Sequence, residues 1–231
     1  MLRLDHLTLT QGTFSLHADW AVEAGARVAL LGGSGAGKST LLMALAGFLT
    51  PASGRILWQE RDITDLPPAG RPVAILFQDQ NLFPHLTVAQ NLGLAINPRL
   101  RLTSADRARI DGVLDRLGLA GLGTRKPADL SGGQQGRAAL GRVLLQARPI
   151  LLLDEPFAAL GPALKADLLA LVTELADEAG TTVLMVTHDP NDARRFADRV
   201  VLVHDGQADP PKDTQAIFAD PPPALRAYLG T

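Results

Sequence analysis

Gly32-Gly33-Ser34-Gly35-Ala36-Gly37-Lys38-Ser39-Thr40 stands between a short apolar run, Arg27–Leu31, and leucines at helical spacing (Leu41, Leu42, Leu45, Leu49). Glycines in such a loop let backbone N–H groups close around an anion without side-chain clash. A helix beginning near Lys38 aims its positive dipole end at the same place. The residues that follow suit phosphoryl chemistry: Lys38 reaches the β- and γ-phosphates of a nucleotide, and Ser39 places its hydroxyl on Mg2+. The spacing G-x-x-x-x-G-K-[ST] carries weight because strand, loop and helix all stand where that mechanism needs them.

A second run, Ile150–Leu153, delivers Asp154 and Glu155. An Asp-Glu pair at a strand end also fits a solvated turn or a helix cap. Beside a phosphate loop it supplies what phosphoryl transfer requires: Asp154 to hold Mg2+, directly or through water, and Glu155 to polarise the attacking water. Gln78 ends the run Val73–Phe77 and can reach the metal or that water. His188 ends Thr182–Thr187 and reads as a γ-phosphate sensor that helps hold the transition state. His6, His17, His85 and His204 have no comparable placement. Leu130-Ser131-Gly132-Gly133-Gln134 precedes a long helical pattern. Ser131 suits a helix N-cap, but consecutive glycines are a poor start for a helix with no ligand to approach. The Ser131 hydroxyl, the Gly133 backbone and the helix dipole together make a second anion site.

These residues need a scaffold. Phe14, Leu16, Ala18, Trp20 and Val22 alternate with Ser15, His17, Asp19 and Ala21, the pattern of a half-buried strand. Arg55–Trp58 and Arg199–Val203 add further strands, and the leucines up to Leu49 predict a helix stopped by Pro51–Gly54. From Leu86 to Leu145 the pattern is mostly helical, with a helix from Ser104 to about Leu117 ended by Gly118. We read about 82–147 as a helical subdomain inserted between two strands of one sheet. Leu164, Leu168, Leu171, Val172 and Leu175 mark one face of a helix. After Gly206 the composition, with Pro210-Pro211 and Pro221–Pro223, is loop-like. Strands separated by helices imply parallel pairing, which gathers the glycine loop, Gln78, Asp154 and His188 at one sheet edge, where ligands bind.

The bulk numbers narrow the classes. The chain has 231 residues, enough to bury a real core, and a net charge of −2, which offers no field for nucleic acid. There is no cysteine, so disulfides and thiolate chemistry are excluded. No apolar run approaches the ~20 residues a membrane span needs. A role at a membrane would have to pass through another protein.

The motifs resemble the ATP-binding subunits of ABC transporters: the phosphate loop Gly32–Thr40, Gln78, the signature Leu130–Gln134, Ile150–Glu155 and His188, in the family's order. The resemblance implies an α/β P-loop NTPase (RecA-like) core of ABC ATPase type, with an N-terminal antiparallel β subdomain and the inserted helical subdomain. It implies one domain over 1–231 without a C-terminal regulatory domain. It further implies ATP and Mg2+, and a head-to-tail homodimer in which Ser131, Gly132, Gly133 and Gln134 contact the ATP of the partner. A groove by Gln78 and the helical subdomain would receive an integral membrane permease at the cytoplasmic face of the bacterial inner membrane, with a periplasmic binding protein beyond it. A narrower resemblance, to the ATP-binding subunits of thiamine importers, rests on Gly47–Gly54, Asn81–Asn91 and Leu92–Leu102. Importers of sulfate, iron or polyamine, and soluble ATPases of the same class acting on DNA or ribosomes, are the alternatives. A P-loop small-molecule kinase would lack the signature.

The chain departs from the family pattern in places. Ala158-Ala159-Leu160-Gly161 stands where Ser-Ala-Leu-Asp is usual, so the carboxylate expected to contact the partner's phosphate loop is absent. Gln135-Gly136-Arg137 replaces the usual Arg-Gln-Arg, and Gly136 and Gly141 each cost a helix about 1 kcal/mol relative to alanine. Gln11 stands near the place of the adenine-stacking aromatic. Phe14 is an alternative whose alternation with Leu16 points to the core instead.

Overall fold

The computed structural model describes residues 1–79, 81–158 and 160–230. In chain order the elements are β1 (Leu2–Gln11), β2 (Phe14–Val22), β3 (Arg27–Leu31), α1 (Lys38–Ala46), β4 (Ser53–Trp58), β5 (Arg61–Asp62) and β6 (Val73–Leu76). Then come α2 (Val88–Gly93), α3 (Ser104–Arg116), α4 (Gly132–Leu144), β7 (Ile150–Asp154) and α5 (Pro162–Ala179). The chain continues through β8 (Thr182–Val186), α6 (Pro190–Phe196), β9 (Arg199–His204), β10 (Gln207–Ala208), β11 (Lys212–Asp213), α7 (Thr214–Ala219) and α8 (Pro223–Leu229).

The strands form one sheet in the order β5-β4-β1-β2-β10-β9-β3-β8-β7-β6, with β11 added on β9. From β9 to β6 the pairing is parallel. The strands β1, β2, β4 and β5 pair antiparallel, and β10 joins this part to β9. The α/β class with an antiparallel N-terminal portion is thus the observed one, and α2, α3 and α4 fall between β6 and β7.

Successive side chains of a strand point to opposite faces, which divides the core. Leu151 and Leu153 face a cluster with Leu114, Leu140, Val172 and Phe196, whereas Ile150 and Leu152 face one with Leu41, Leu45, Leu16 and Trp20. Both faces of the parallel strands are covered, which is why they read as continuous apolar runs rather than alternating ones.

Several sequence expectations shift. The helix after the glycine loop ends at Gly47, a left-handed C-cap (φ 85°), short of Pro51, so Leu49 lies outside it. The strand before Gln78 ends at Leu76, and the strand before His188 ends at Val186. The segment after Gly206 is not loop: it contributes β10 and β11 and folds back as α7 and α8. Proline misled the reading there. Pro223 occupies the first turn of α8, where its missing N–H and fixed φ are tolerated, and Leu225 in the same helix is fully buried.

Gly141 has a packing reason. A Cβ there would lie 2.7 Å from Leu117 Cδ1 and 3.3 Å from Leu92 Cδ2, so the glycine lets α2 and α3 close on α4. Gly136 is also buried in α4. The helix-propensity cost is thus offset by close approach.

Candidate functional site

The phosphate loop leaves β3 and enters α1 with backbone that only glycine accepts. A Cβ on Gly32 would lie 2.1 Å from the Val203 carbonyl oxygen. Gly37, the N-cap of α1, has φ 101°, and a Cβ there would strike the Phe14 ring at 2.6 Å. Among the described residues no side chain caps α1, which leaves its first-turn N–H groups placed to bind an anion. Phe14 therefore packs against the loop beside the core, in line with its alternation. Gln11, near the expected adenine position, accepts a hydrogen bond from Thr40 Oγ1 at 3.3 Å and ties α1 to β1.

Lys38 is buried, and its Nζ donates to the carbonyls of Gly32 and Gly33 at 2.8 Å each. Burial lowers its pKa against the opposing charges of Glu155 and Asp154. Ser39 Oγ donates to Asp154 Oδ1 at 3.1 Å. Burial pushes Asp154 above the usual carboxylate range, the Ser39 bond pulls the other way, and the neighbouring Glu155 charge adds to the rise. This pairing of a hydroxyl and a carboxylate oxygen from different elements suits a hard cation such as Mg2+, whose ligands are oxygens.

Glu155 turns away from β7 at φ 47°, a sparsely populated region for a non-glycine residue, and its N–H donates to Val186 O at 3.1 Å. The turn brings its carboxylate to His188, with Oε2 2.8 Å from Nε2. The Glu155 side chain is mostly buried (15 % exposed) while the His188 ring is half in solvent (56 %), so one member is shielded and the other is open to a ligand. The structure thus brings together Gly32–Thr40, Asp154, Glu155 and His188. Gln78 is exposed two residues beyond the end of β6 and makes no hydrogen bond among the described residues.

The signature residues stand apart: among the described residues no hydrogen bond or ion pair joins 131–134 to the phosphate loop. Ser131 is the N-cap of α4 and forms a capping box. Its Oγ accepts from Gln134 N at 3.3 Å and its own N–H donates to Gln134 Oε1 at 2.9 Å. The capping role is therefore real for Ser131 and Gln134. Gly133 is explained by packing as well, since a Cβ would lie 2.9 Å from Leu164 Cδ2. Gly132 is not: the space around it is open. Of the Ala158–Gly161 segment, Ala159 lies outside the described residues, and Gly161 N-caps α5 with no side-chain bond.

Sequence reasoning missed the groups behind the site. Lys165 Nζ donates to Asp189 Oδ2 at 3.0 Å and Asp192 Oδ2 at 3.1 Å, and Thr187 Oγ1 donates to Asp192 Oδ2 at 2.9 Å. This network fixes both sides of His188. Lys165 had a weak signal, one helical turn after Gly161. Arg71, fully buried, donates to the Ala44 and Leu45 carbonyls (2.6 and 2.9 Å) that end α1, and nothing in the local pattern marked it.

Comparison with known proteins agrees with this geometry. Residues 16–158 match the family model described as ABC transporter. Along its full length the chain is 69% identical to the thiamine import ATP-binding protein ThiQ of Cereibacter sphaeroides, over 230 residues covering 100% of both chains. It is 57% identical to the protein of that name from Ruegeria sp. and 46% identical to the one from Yersinia pseudotuberculosis, covering 100% and 97% of those chains. Among solved structures, it resembles a dimeric ATP-binding cassette in a post-hydrolysis state bound to ADP and Pi. The TM-score is 0.82 at 30% identity, over 93% of this chain and 99% of that one. A nucleotide-free ATP-binding cassette from an ABC transporter matches with a TM-score of 0.86 at 27% identity, covering 100% of this chain and 99% of that one. Sequence, fold and neighbours converge on one assignment: the chain belongs to the ABC transporter family, as an ATP-binding cassette.

Proposed function

We propose that this chain is the ATP-hydrolysing subunit of an importer for thiamine and its phosphates. It would work at the cytoplasmic face of the bacterial inner membrane through a permease, with a periplasmic binding protein delivering the solute. The observation that carries the hydrolytic reading is the Glu155–His188 contact at 2.8 Å beside the phosphate loop. The solute is supported by the shared name of full-length relatives. Among the described residues no helix is long and apolar enough to cross a membrane.

ATP phosphates enter the amide cradle of 32–40, and Lys38 exchanges the Gly32 and Gly33 carbonyls for phosphoryl oxygens. Glu155 orients the attacking water and takes up its proton, while His188 holds the Glu155 carboxylate and donates toward the γ-phosphate. Ser39, Asp154 and Gln78 would hold Mg2+, which neutralises charge on the phosphoryl oxygens when bound. The other face of each nucleotide is closed by Ser131, Gly132 and Gly133 of a second copy, with Gly132 leaving room for close approach.

Docking of the permease is supported by a groove of about 430 Å3 lined by Ile75, Phe77, Phe83, Arg142 and Gln146, just beyond β6. Phe83 in its lining is 45% exposed, and Phe48, 51% exposed, lies against the lining residue Phe77 with ring centroids 5.7 Å apart. Phe83 and its neighbours offer an apolar seat for a helix, and Gln78 follows the lining residue Phe77 in the chain. The test is reconstitution with a permease of the thiamine-importer type and its binding protein. Thiamine-loaded binding protein should stimulate ATP hydrolysis, and stimulation by a different solute but not by thiamine would overturn the assignment.

A further inference from the structure

The Lys165 network holds the residues on either side of His188 but not the His188 carbonyl, in a loop between β8 and α6 whose histidine ring is half exposed. The last residues of the chain supply contacts along that whole unit. At its start, Tyr228 Oη in α8 donates to the His188 carbonyl at 2.8 Å. Near the end of α6, the Arg194 guanidinium lies 4.2 Å from the centre of the Phe218 ring in α7. Just after α6, Thr214 Oγ1 donates to Ala197 O at 2.7 Å, and Thr214 N donates to Asp198 O at 3.1 Å. Leu225 is fully buried and anchors α8 in the same core.

We propose that the C-terminal segment from Thr214 to Leu229 is a clamp that positions His188, with Tyr228 as the positioning residue that fixes its backbone. The proposal rests on the reading of His188 as the partner of Glu155 at the γ-phosphate. The logic is geometric. The peptide between His188 and Asp189 is held at both ends, its N–H donating to Thr187 Oγ1 at 3.1 Å and its C=O accepting from Tyr228, and a peptide freed at the Tyr228 end could carry the imidazole away from Glu155. A shift of ~1 Å at such a position costs far more in rate than in stability. Tyr228 itself touches none of the reacting atoms.

Tyr228→Phe in the full-length chain removes the hydroxyl and keeps the ring packing. We expect kcat for Mg·ATP hydrolysis to fall several-fold, the KM for ATP to stay unchanged and the Tm to remain close to the parent's. The His188 ring resonance, assigned by its loss in His188→Gln, should move in the same direction as in Glu155→Gln, a readout that needs no turnover. An unmoved resonance, or parental kcat in a chain that hydrolyses ATP, overturns the clamp. His188→Gln separates the two ideas. If it hydrolyses ATP at the parental rate, the catalytic reading fails. If it is impaired while Tyr228→Phe is silent in both readouts, only the clamp fails.

Discussion

Glu155 shows how much one residue is asked to do. Its backbone accepts a left-handed conformation (φ 47°), its N–H extends the β7–β8 ladder to Val186, and its carboxylate meets His188 at 2.8 Å. Glutamine at this position keeps the shape and can still hydrogen-bond the histidine, but it cannot orient water as a base. Glu155→Gln should therefore bind Mg·ATP normally and hydrolyse it at least ~100-fold more slowly. Equilibrium binding of a fluorescent ATP analogue and phosphate release check both halves, and parental turnover would strip Glu155 of its role. The residues of the candidate phosphate site were the most legible in the sequence, because each type has few other reasons to stand at that spacing. Gly32 cannot carry a Cβ beneath Val203, and Lys38 is buried among carbonyls that invite a cation. Ser131 and Gln134 were less legible, because a capping box and an anion site ask for the same residues.

At the scale of elements, strands buried on both faces announce themselves as apolar runs, so β3, β6, β7, β8 and β9 were readable to within two residues. What escaped were elements held by distant partners. The end of α1 is one. Arg71, far along the chain, donates to the Ala44 and Leu45 carbonyls as well as to those of Leu66 (2.9 Å) and Thr64 (2.5 Å), so a single guanidinium satisfies the helix C-terminus from outside. Arg71→Met removes the donors to the Leu45, Leu66 and Thr64 carbonyls, while Ala44 O keeps the Gly47 N–H, and should destabilise the protein by about 3 kcal/mol in urea unfolding. A loss under ~1 kcal/mol would mean that water reaches those carbonyls. The turn joining β9 to β10 escaped for a different reason, since its partners are local but its charges gave no periodic signal. Partial burial disfavours charge on the His204 ring, but Asp205 and Asp209, each 3.2 Å from a ring nitrogen, outweigh it and raise its pKa above the ordinary histidine value. A raised folded pKa means that the folded state binds the proton more tightly. The stabilisation is complete below the unfolded value of about 6.5 and is lost as pH rises through the folded value. His204→Gln should flatten the fall in Tm above pH ~6.5 and leave ATP hydrolysis intact. A parental pH slope would place that fall elsewhere in the molecule.

Across the whole molecule, the first turn of α5 links the signature helix α4 to the loop that carries His188. Leu164 lies against Gly133 of the signature, and Lys165 donates to Asp189 next to His188. The residue that begins this helix, Gly161, offers no carboxylate to a partner's phosphate loop. Its backbone (φ −65°, ψ 155°) suits any residue, and a Cβ would meet nothing within 4 Å. Aspartate therefore fits there without strain and is a better N-cap than glycine by a few tenths of a kcal/mol. Gly161→Asp should leave the Tm unchanged or slightly raised. In the dimer we propose, it should also add a contact between protomers that forms only when both nucleotides are bound. That contact makes the second ATP bind more tightly than the first, so the Hill slope for Mg·ATP-dependent hydrolysis should steepen. An unchanged slope in a folded variant would mean that coupling runs through Leu164 and Lys165 alone, with Gly161 a spacer at the start of α5.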